Sequence, residues 1–200
     1  ISVLRSYGEL IASSPEDSNR VQKWALTIVT EADRLNSLAT ELLDYSRGEI
    51  RLDMGVHSVA DLLTRVASYT GARLEQSRVA LTMDNTVVTP VIVDGERMVR
   101  VLTNLVDNAR KASSPGQSVV LRASSEDRIL KLEVRDEGEG MDADVRAHIF
   151  EPFYSSSRGG GSGIGLVIVK NVVEAHHGHL ELESEPGEGT VVRISLPLRG

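Results

Sequence analysis

Asn104, Asn108 and Lys111 lie four and three residues apart within Glu96–Ala112, so on a helix all three side chains project from one face. An asparagine carbonyl oxygen is a neutral, hard donor suited to a magnesium ion that already carries phosphate oxygens, and a lysine ammonium neutralises phosphate charge. On spacing alone, a polar helix face in water is the commoner explanation of such an asparagine pair. A second cluster, Asp136-Glu137-Gly138-Glu139-Gly140-Met141, follows a predicted strand. Gly138 and Gly140 allow a positive φ and let backbone approach a flat ring with no Cβ in the way. Asp136, at the strand end, can accept a hydrogen bond from an exocyclic amine such as that of adenine. A plain turn has the same Asp and Gly composition.

Gly159-Gly160-Gly161-Ser162-Gly163-Ile164-Gly165-Leu166 opens directly into a predicted helix. Unpaired N–H groups and the positive end of a helix accept anionic phosphate in this arrangement. The Gly-Lys-Ser/Thr ending of a P-loop is absent, and no βαβ unit follows as a dinucleotide site requires. A lid that phosphate contacts order on binding is the better physical reading. Between the two glycine clusters, Phe150 and Phe153 are expected to anchor the base of this lid to the core, Tyr154 can line a nucleotide pocket, and Arg158 can meet phosphate or stay solvated. Thr190, after Gly187-Glu188-Gly189, can bring a hydroxyl to the same pocket, although a hairpin turn also explains those glycines. His176, His177 and His179 surround Gly178, which suits a helix C-cap with dipole-stabilised imidazoles better than a metal site.

These side chains need elements to hold them. Ile1–Ala12 reads as a helix ended by Ser13-Ser14-Pro15. From Asp17 to Ser46 no Gly or Pro interrupts Val21, Ala25, Ile28, Ala32, Leu35, Ala39 and Leu42, which recur at steps of four and three. That heptad seam predicts a helical bundle or coiled coil, or else a core helix of one globular domain. After Arg47-Gly48 the grammar changes to alternating strands and helices. Strands are expected at Ile50–Leu52, Arg78–Met83, Val91–Asp94, Ser118–Ser124, Ile129–Arg135, Leu180–Ser184 and Thr190–Pro197. Helices are expected at Val59–Gln76, Glu96–Ala112, Asp144–His148 and Gly163–Ala175. The two late strand pairs look like antiparallel hairpins, so the fold class is α+β: a two-layer α/β sandwich with a mixed sheet covered by helices on one side, preceded by a helical hairpin. The expected boundaries are 1–47 and 48–200.

Of the 200 residues, 40% are hydrophobic and 26% charged, as in an ordinary globular chain, and the net charge of -7 opposes general binding to nucleic acid or an anionic membrane. With no cysteine, disulfides and thiolate metal sites are excluded. No apolar run is long enough to span a bilayer, so membrane attachment is expected only through segments of a parent protein outside this sequence, and a cytoplasmic location is expected.

Taken in order, NLVDNARKA, DEGEGM, FEPFY, GGGSGIGL and GEGTVVRISLPL closely resemble sensor histidine kinases, over roughly Ile1–Leu198. The resemblance implies a Bergerat-type sandwich that binds ATP with magnesium beneath a mobile lid. It implies Asn108 as the magnesium ligand, Asn104 and Lys111 beside the phosphates, Asp136 at the adenine amine, and Gly163 and Gly165 at the lid hinge. Gly138, Gly140, Tyr154, Gly161, Leu166 and Thr190 would complete the nucleotide site. Gyrase, MutL and Hsp90-type ATPases share this fold but use a glutamate as general base where Asn104 stands here. An amide cannot take a proton from water, which favours phosphoryl transfer over hydrolysis. The resemblance further implies a homodimer through the N-terminal helices and a response-regulator receiver domain as partner. It places the phosphoacceptor histidine about six residues before Ile1 by the family's helix pattern, so autophosphorylation by these residues alone is not expected. Ser155-Ser156-Ser157-Arg158 departs from the Thr-Thr-Lys common in related kinases. A nucleotide-binding module without kinase activity, an anti-sigma-factor serine kinase and an ATPase of the same fold are the alternatives.

Overall fold

Two helices open the chain in the computed structural model, which describes residues 2–13, 16–25, 27–29, 50–154 and 163–198. The chain divides into two units, Ile1–Gly48 and Glu49–Gly200. In the first, α1 spans Ser2–Ser13 and α2 is helical over residues 18–25 and 27–29. Asp17 starts α2: its carboxylate accepts the Arg20 backbone N–H at 3.1 Å, satisfying a donor that has no partner within the helix. The seam positions Ala32, Leu35, Ala39 and Leu42 lie outside the described residues.

The second unit runs β1 (Gly55–His57), α3 (Val59–Ser77), β2 (Ala80–Asn85), β3 (Val91–Val93), α4 (Gly95–Ala112), β4 (Ser118–Glu126), β5 (Ile129–Asp136), α5 (Ala143–His148), α6 (Gly165–Ala175), β6 (His179–Glu185) and β7 (Gly189–Pro197). The main sheet has the order β2-β4-β5-β7-β6. β2 pairs with β4 in parallel and the other pairs are antiparallel, so the sheet is mixed. Alternation decides its two faces. Val119, Leu121, Ala123, Leu130, Leu132, Val134, Val192, Ile194 and Leu196 are buried, in one core with α3, α4 and α6. The other face carries an ion-pair ladder of alternating sign across all five strands. Arg122 reaches Asp84 at 3.0 Å and Glu133 at 3.7 Å, while Arg193 reaches Glu133 at 2.9 Å and Glu183 at 2.7 Å. Such a face suits water and needs no second layer.

Several boundaries differ from the sequence reading. Residues 50–52 are not a strand. β3 is only three residues long, between Pro90 and the α4 N-cap Asp94, and its three rungs pair with Gly55–His57. Arg78, expected to begin β2, instead caps α3 at φ 55 with its N–H on the Leu74 and Glu75 carbonyls, and a left-handed residue cannot continue into extended strand. Gly163, expected within α6, has φ 69, so the helix begins at Gly165.

Candidate functional site

The helix-covered face of the main sheet is apolar along its length and turns polar in one row at its end. Leu180, Ile194 and Leu132 are register partners on β6, β7 and β5, followed on the same face by Leu182, Val192 and Val134, then by Ser184, Thr190 and Asp136. Directly opposed residues of antiparallel strands share a face, so these last three side chains point the same way. All three are buried. The Asp136 carboxylate accepts the Gly138 N–H at 2.9 Å and the backbone N–H of Thr190. Burial pushes the Asp136 carboxyl above its ordinary range, and the two backbone donors partly oppose that rise.

The loop after Asp136 is fixed by close backbone approach. A Cβ on Gly138 would overlap the Ala112 carbonyl at the end of α4, and one on Gly140, at φ 63, would overlap the Glu185 carbonyl. Glu139 donates its N–H to Ala112 at 3.1 Å and accepts the Gly187 N–H at 2.8 Å. Thus the side of each glycine expected to face a flat ring is occupied by this chain's own backbone. Gly138 and Gly140 wedge the loop between α4 and the β6–β7 hairpin.

On α4, Asn104, Asn108 and Lys111 follow one another along the helix, Asn104 half-buried and the other two exposed. The Asn104 amide nitrogen is buried with no hydrogen-bond partner, although buried donors are nearly always paired. A Cβ on Gly165 would lie 3.9 Å from it, so this orphan donor sits at the first residue of α6. α6 has no side-chain N-cap, which leaves its first turn without the usual internal acceptor. Leu166, part-buried, packs against the core. Asp107 forms ion pairs with Arg73 at 3.0 Å and Arg110 at 3.4 Å.

Phe153 and Gly163, on either side of residues 155–162, meet. Phe153 donates its N–H to the Gly163 carbonyl at 3.1 Å, and a Cβ on Gly163 would press on the backbone of Phe153 and Tyr154. Gly161 and Arg158, between them, lie outside the described residues. Phe153 does not anchor the segment as expected: it is 66% exposed at φ 66, because the tight turn that brings its N–H to Gly163 aims its ring outward. Phe150 is part-buried. Tyr154 rests against the His148 ring, centroids 5.6 Å apart, and burial and then nearby Asp144, Asp142 and Glu151 raise its phenol.

Two residues with structural weight were not singled out from sequence. Ser184 Oγ accepts the Met141 N–H at 2.9 Å, donates to the Gly189 carbonyl at 2.8 Å and lies 3.0 Å from Thr190 Oγ1. Asp94 is 4% exposed, and its carboxylate accepts the N–H groups of Arg97 and Asp53. The Asp94 N–H in turn donates to His176 Nε2 at 3.0 Å, while His176 Nδ1 meets the Val172 carbonyl at 2.8 Å. A backbone N–H only donates, so Nε2 is an acceptor and Nδ1 carries the proton. His176 is the C-cap of α6, as its position suggested, and its buried ring also latches α6 to the N-cap residue of α4; His177 and His179 are exposed.

A mixed sheet with one helical layer, an acidic residue at the end of a central strand, and an orphaned amide facing a glycine-opened helix describe an α/β sandwich with a candidate ligand site. Residues 93–200 match the model of the histidine kinase-, DNA gyrase B- and HSP90-like ATPase family, and the chain belongs to that family. It is an ATP-binding catalytic domain of the sensor-histidine-kinase type. Among curated relatives, the sensor protein DivL of Caulobacter vibrioides is 32% identical over 98% of this chain and 26% of its own length. The sensor-like histidine kinase SenX3 of Mycolicibacterium smegmatis is 29% identical over 98% of this chain and 53% of its own length. The chain thus spans about a quarter to a half of those proteins. Full-length ShkA, solved in complex with AMPPNP, superposes with a TM-score of 0.77 at 27% identity over 88% of this chain and 38% of its own.

Proposed function

We propose that this domain binds magnesium-ATP and passes the γ-phosphoryl group to a histidine lying N-terminal to Ile1, from which it moves to an aspartate of a response-regulator receiver domain. Residues 1–47 are assigned to a dimerisation hairpin and 48–200 to the catalytic domain. The observation that carries the reading is Asn104: a buried amide N–H without an acceptor, at the uncapped start of α6, suits a phosphate oxygen. The same residue argues for transfer over hydrolysis. It is not a carboxylate, and Asp107 nearby is neutralised by Arg73 and Arg110, so no described group of α4 is free to activate water.

The donor set also fits magnesium. Asn108 offers a side-chain carbonyl oxygen to solvent one turn from Asn104, and exposed Lys111 adds a positive charge one turn further. Asn108 would hold the ion, which when bound offsets charge on the phosphate oxygens. Asp136 and Thr190 would receive the adenine amine, with Gly138, Gly140 and Tyr154 shaping the pocket and Gly161, Gly163, Gly165 and Leu166 belonging to the lid and its hinge. Catalysis is then positioning and charge neutralisation. The N-terminal helices would dimerise, and the location is cytoplasmic, with any membrane anchor in a parent protein. No described helix is long and apolar enough to cross a membrane.

Calorimetric titration of ADP and ATP with and without magnesium tests this reading. Wild type binds both nucleotides, and Asn108→Ala, which removes the ligand oxygen, loses the magnesium-dependent part of ATP affinity while keeping magnesium-free binding. A folded wild-type chain that binds neither nucleotide refutes it.

A further inference from the structure

Ser184 is the β6 member of the polar row at the end of the sheet and has three hydrogen-bonding neighbours, with one hydroxyl proton to share among them. The Met141 N–H can only donate, so Ser184 Oγ accepts from it at 2.9 Å. The Gly189 carbonyl can only accept, so the Ser184 proton goes there, at 2.8 Å. What remains for Thr190 Oγ1, 3.0 Å away, is a lone pair on Ser184. With the Ser184 proton on the Gly189 carbonyl, the Thr190 hydroxyl is the donor of the Thr190–Ser184 contact. Toward any other partner the Thr190 hydroxyl then has only lone pairs to present.

Its neighbour on the row has the same polarity. Asp136, directly opposite Thr190, accepts two backbone N–H groups, and its carboxylate oxygens have further lone pairs to present. Opposed Cβ atoms on antiparallel strands are about 5 Å apart, near enough for one ligand group to touch both side chains. The row thus presents acceptors and no side-chain donor, which suits the two N–H groups of a 6-amino substituent and repels a 6-oxo oxygen.

We propose that Ser184 is a positioning residue for base specificity: by taking up the Thr190 proton it fixes the Thr190 oxygen as an acceptor, so that Asp136 and Thr190 together select a 6-aminopurine over a 6-oxopurine. This rests on the nucleotide reading above and adds the residue that sets the polarity of the base site. Without the Ser184 hydroxyl, the Thr190 proton is free to turn toward a 6-oxo group.

The test compares ADP with inosine 5′-diphosphate, which carries a 6-oxo group and a proton on N1, by calorimetry in magnesium at neutral pH, with thermal melts confirming folding. Wild type favours ADP. In Ser184→Ala the ADP-to-IDP affinity ratio falls about two- to tenfold, the worth of one neutral hydrogen bond. Ser184→Thr, which keeps the hydroxyl, retains the wild-type ratio. Ser184→Cys, a weak donor of similar size, gives an intermediate ratio and carries the test if Ser184→Ala does not fold. A purely structural Ser184 would lower both affinities equally, and an unchanged ratio in folded Ser184→Ala or Ser184→Cys overturns the proposal. Equal binding of ADP and IDP by wild type also overturns it and leaves the nucleotide reading intact, whereas binding of neither defeats that reading first.

Discussion

Asp136 of β5 and Thr190 of β7 stand directly opposite one another at the end of the sheet, and the Thr190 backbone N–H donates to the Asp136 carboxylate. This places an acceptor where the apolar face ends, and its orientation is set by main chain, so it is maintained in the absence of ligand. Removing the charge while keeping the shape isolates the acceptor's contribution. Asp136→Asn lowers ADP affinity about 10- to 100-fold, the range for a hydrogen bond to a charged group. Calorimetry with and without magnesium shows the same loss in both conditions, because the defect lies at the base and not at the phosphates.

The raised Asp136 carboxyl gives two pH effects of opposite sign. Its folded value lies above the ordinary 3.8, so the folded ligand-free domain holds this proton more tightly than the unfolded chain. Relative to Asp136→Asn, wild type gains stability as pH falls from the folded value toward the ordinary one. Over the same fall it loses nucleotide affinity, because protonation removes an acceptor. Thermal melts of both proteins across that window, with and without ADP, give both signs.

Asn104→Ala separates binding from folding. Its amide nitrogen has no partner in the ligand-free domain, so truncation breaks no internal hydrogen bond from that atom and shifts unfolding free energy by less than about 1 kcal/mol. ATP affinity nevertheless falls roughly tenfold, the worth of one hydrogen bond to a charged phosphate. A matching large loss in urea stability would mean that Asn104 serves the core.

His176→Ala behaves in the reverse way. It leaves the Asp94 N–H buried without an acceptor, at a cost of about 1–3 kcal/mol from that group alone, with the cavity adding to it. His176→Gln, whose side-chain carbonyl can accept from the same N–H, recovers part of the loss. Urea unfolding of the two variants measures the difference.

The sequence was most informative where a periodic pattern meets a single chemical demand. The strand pairs read at Ser118–Ser124 with Ile129–Arg135, and at Leu180–Ser184 with Thr190–Pro197, are antiparallel neighbours in the sheet, joined by short turns that local composition marks. The Asn104-Asn108-Lys111 spacing likewise gave a single helical face. What escaped were relationships set by the pairing register and by packing between elements. Nothing in Glu183-Ser184-Glu185 announces that Ser184 is buried opposite Thr190, since that follows from the β6–β7 register. His176 is the helix end that its position suggested, but nothing local announces that its ring meets the Asp94 N–H, 82 residues away in the chain. Gly138 and Gly140 were rightly read as places of close approach, but what approaches is the carbonyls of Ala112 and Glu185, which no local pattern encodes.

The central claim is that the γ-phosphoryl group goes to a histidine and not to water. The most direct measurement incubates the protein, extended to its natural N-terminus, with γ-labelled ATP and magnesium and follows protein-bound label and free phosphate together. The account predicts acid-labile, base-stable label on the protein that is lost with the upstream histidine, and little free phosphate. Steady release of free phosphate with no labelled protein would contradict it and make the domain an ATPase.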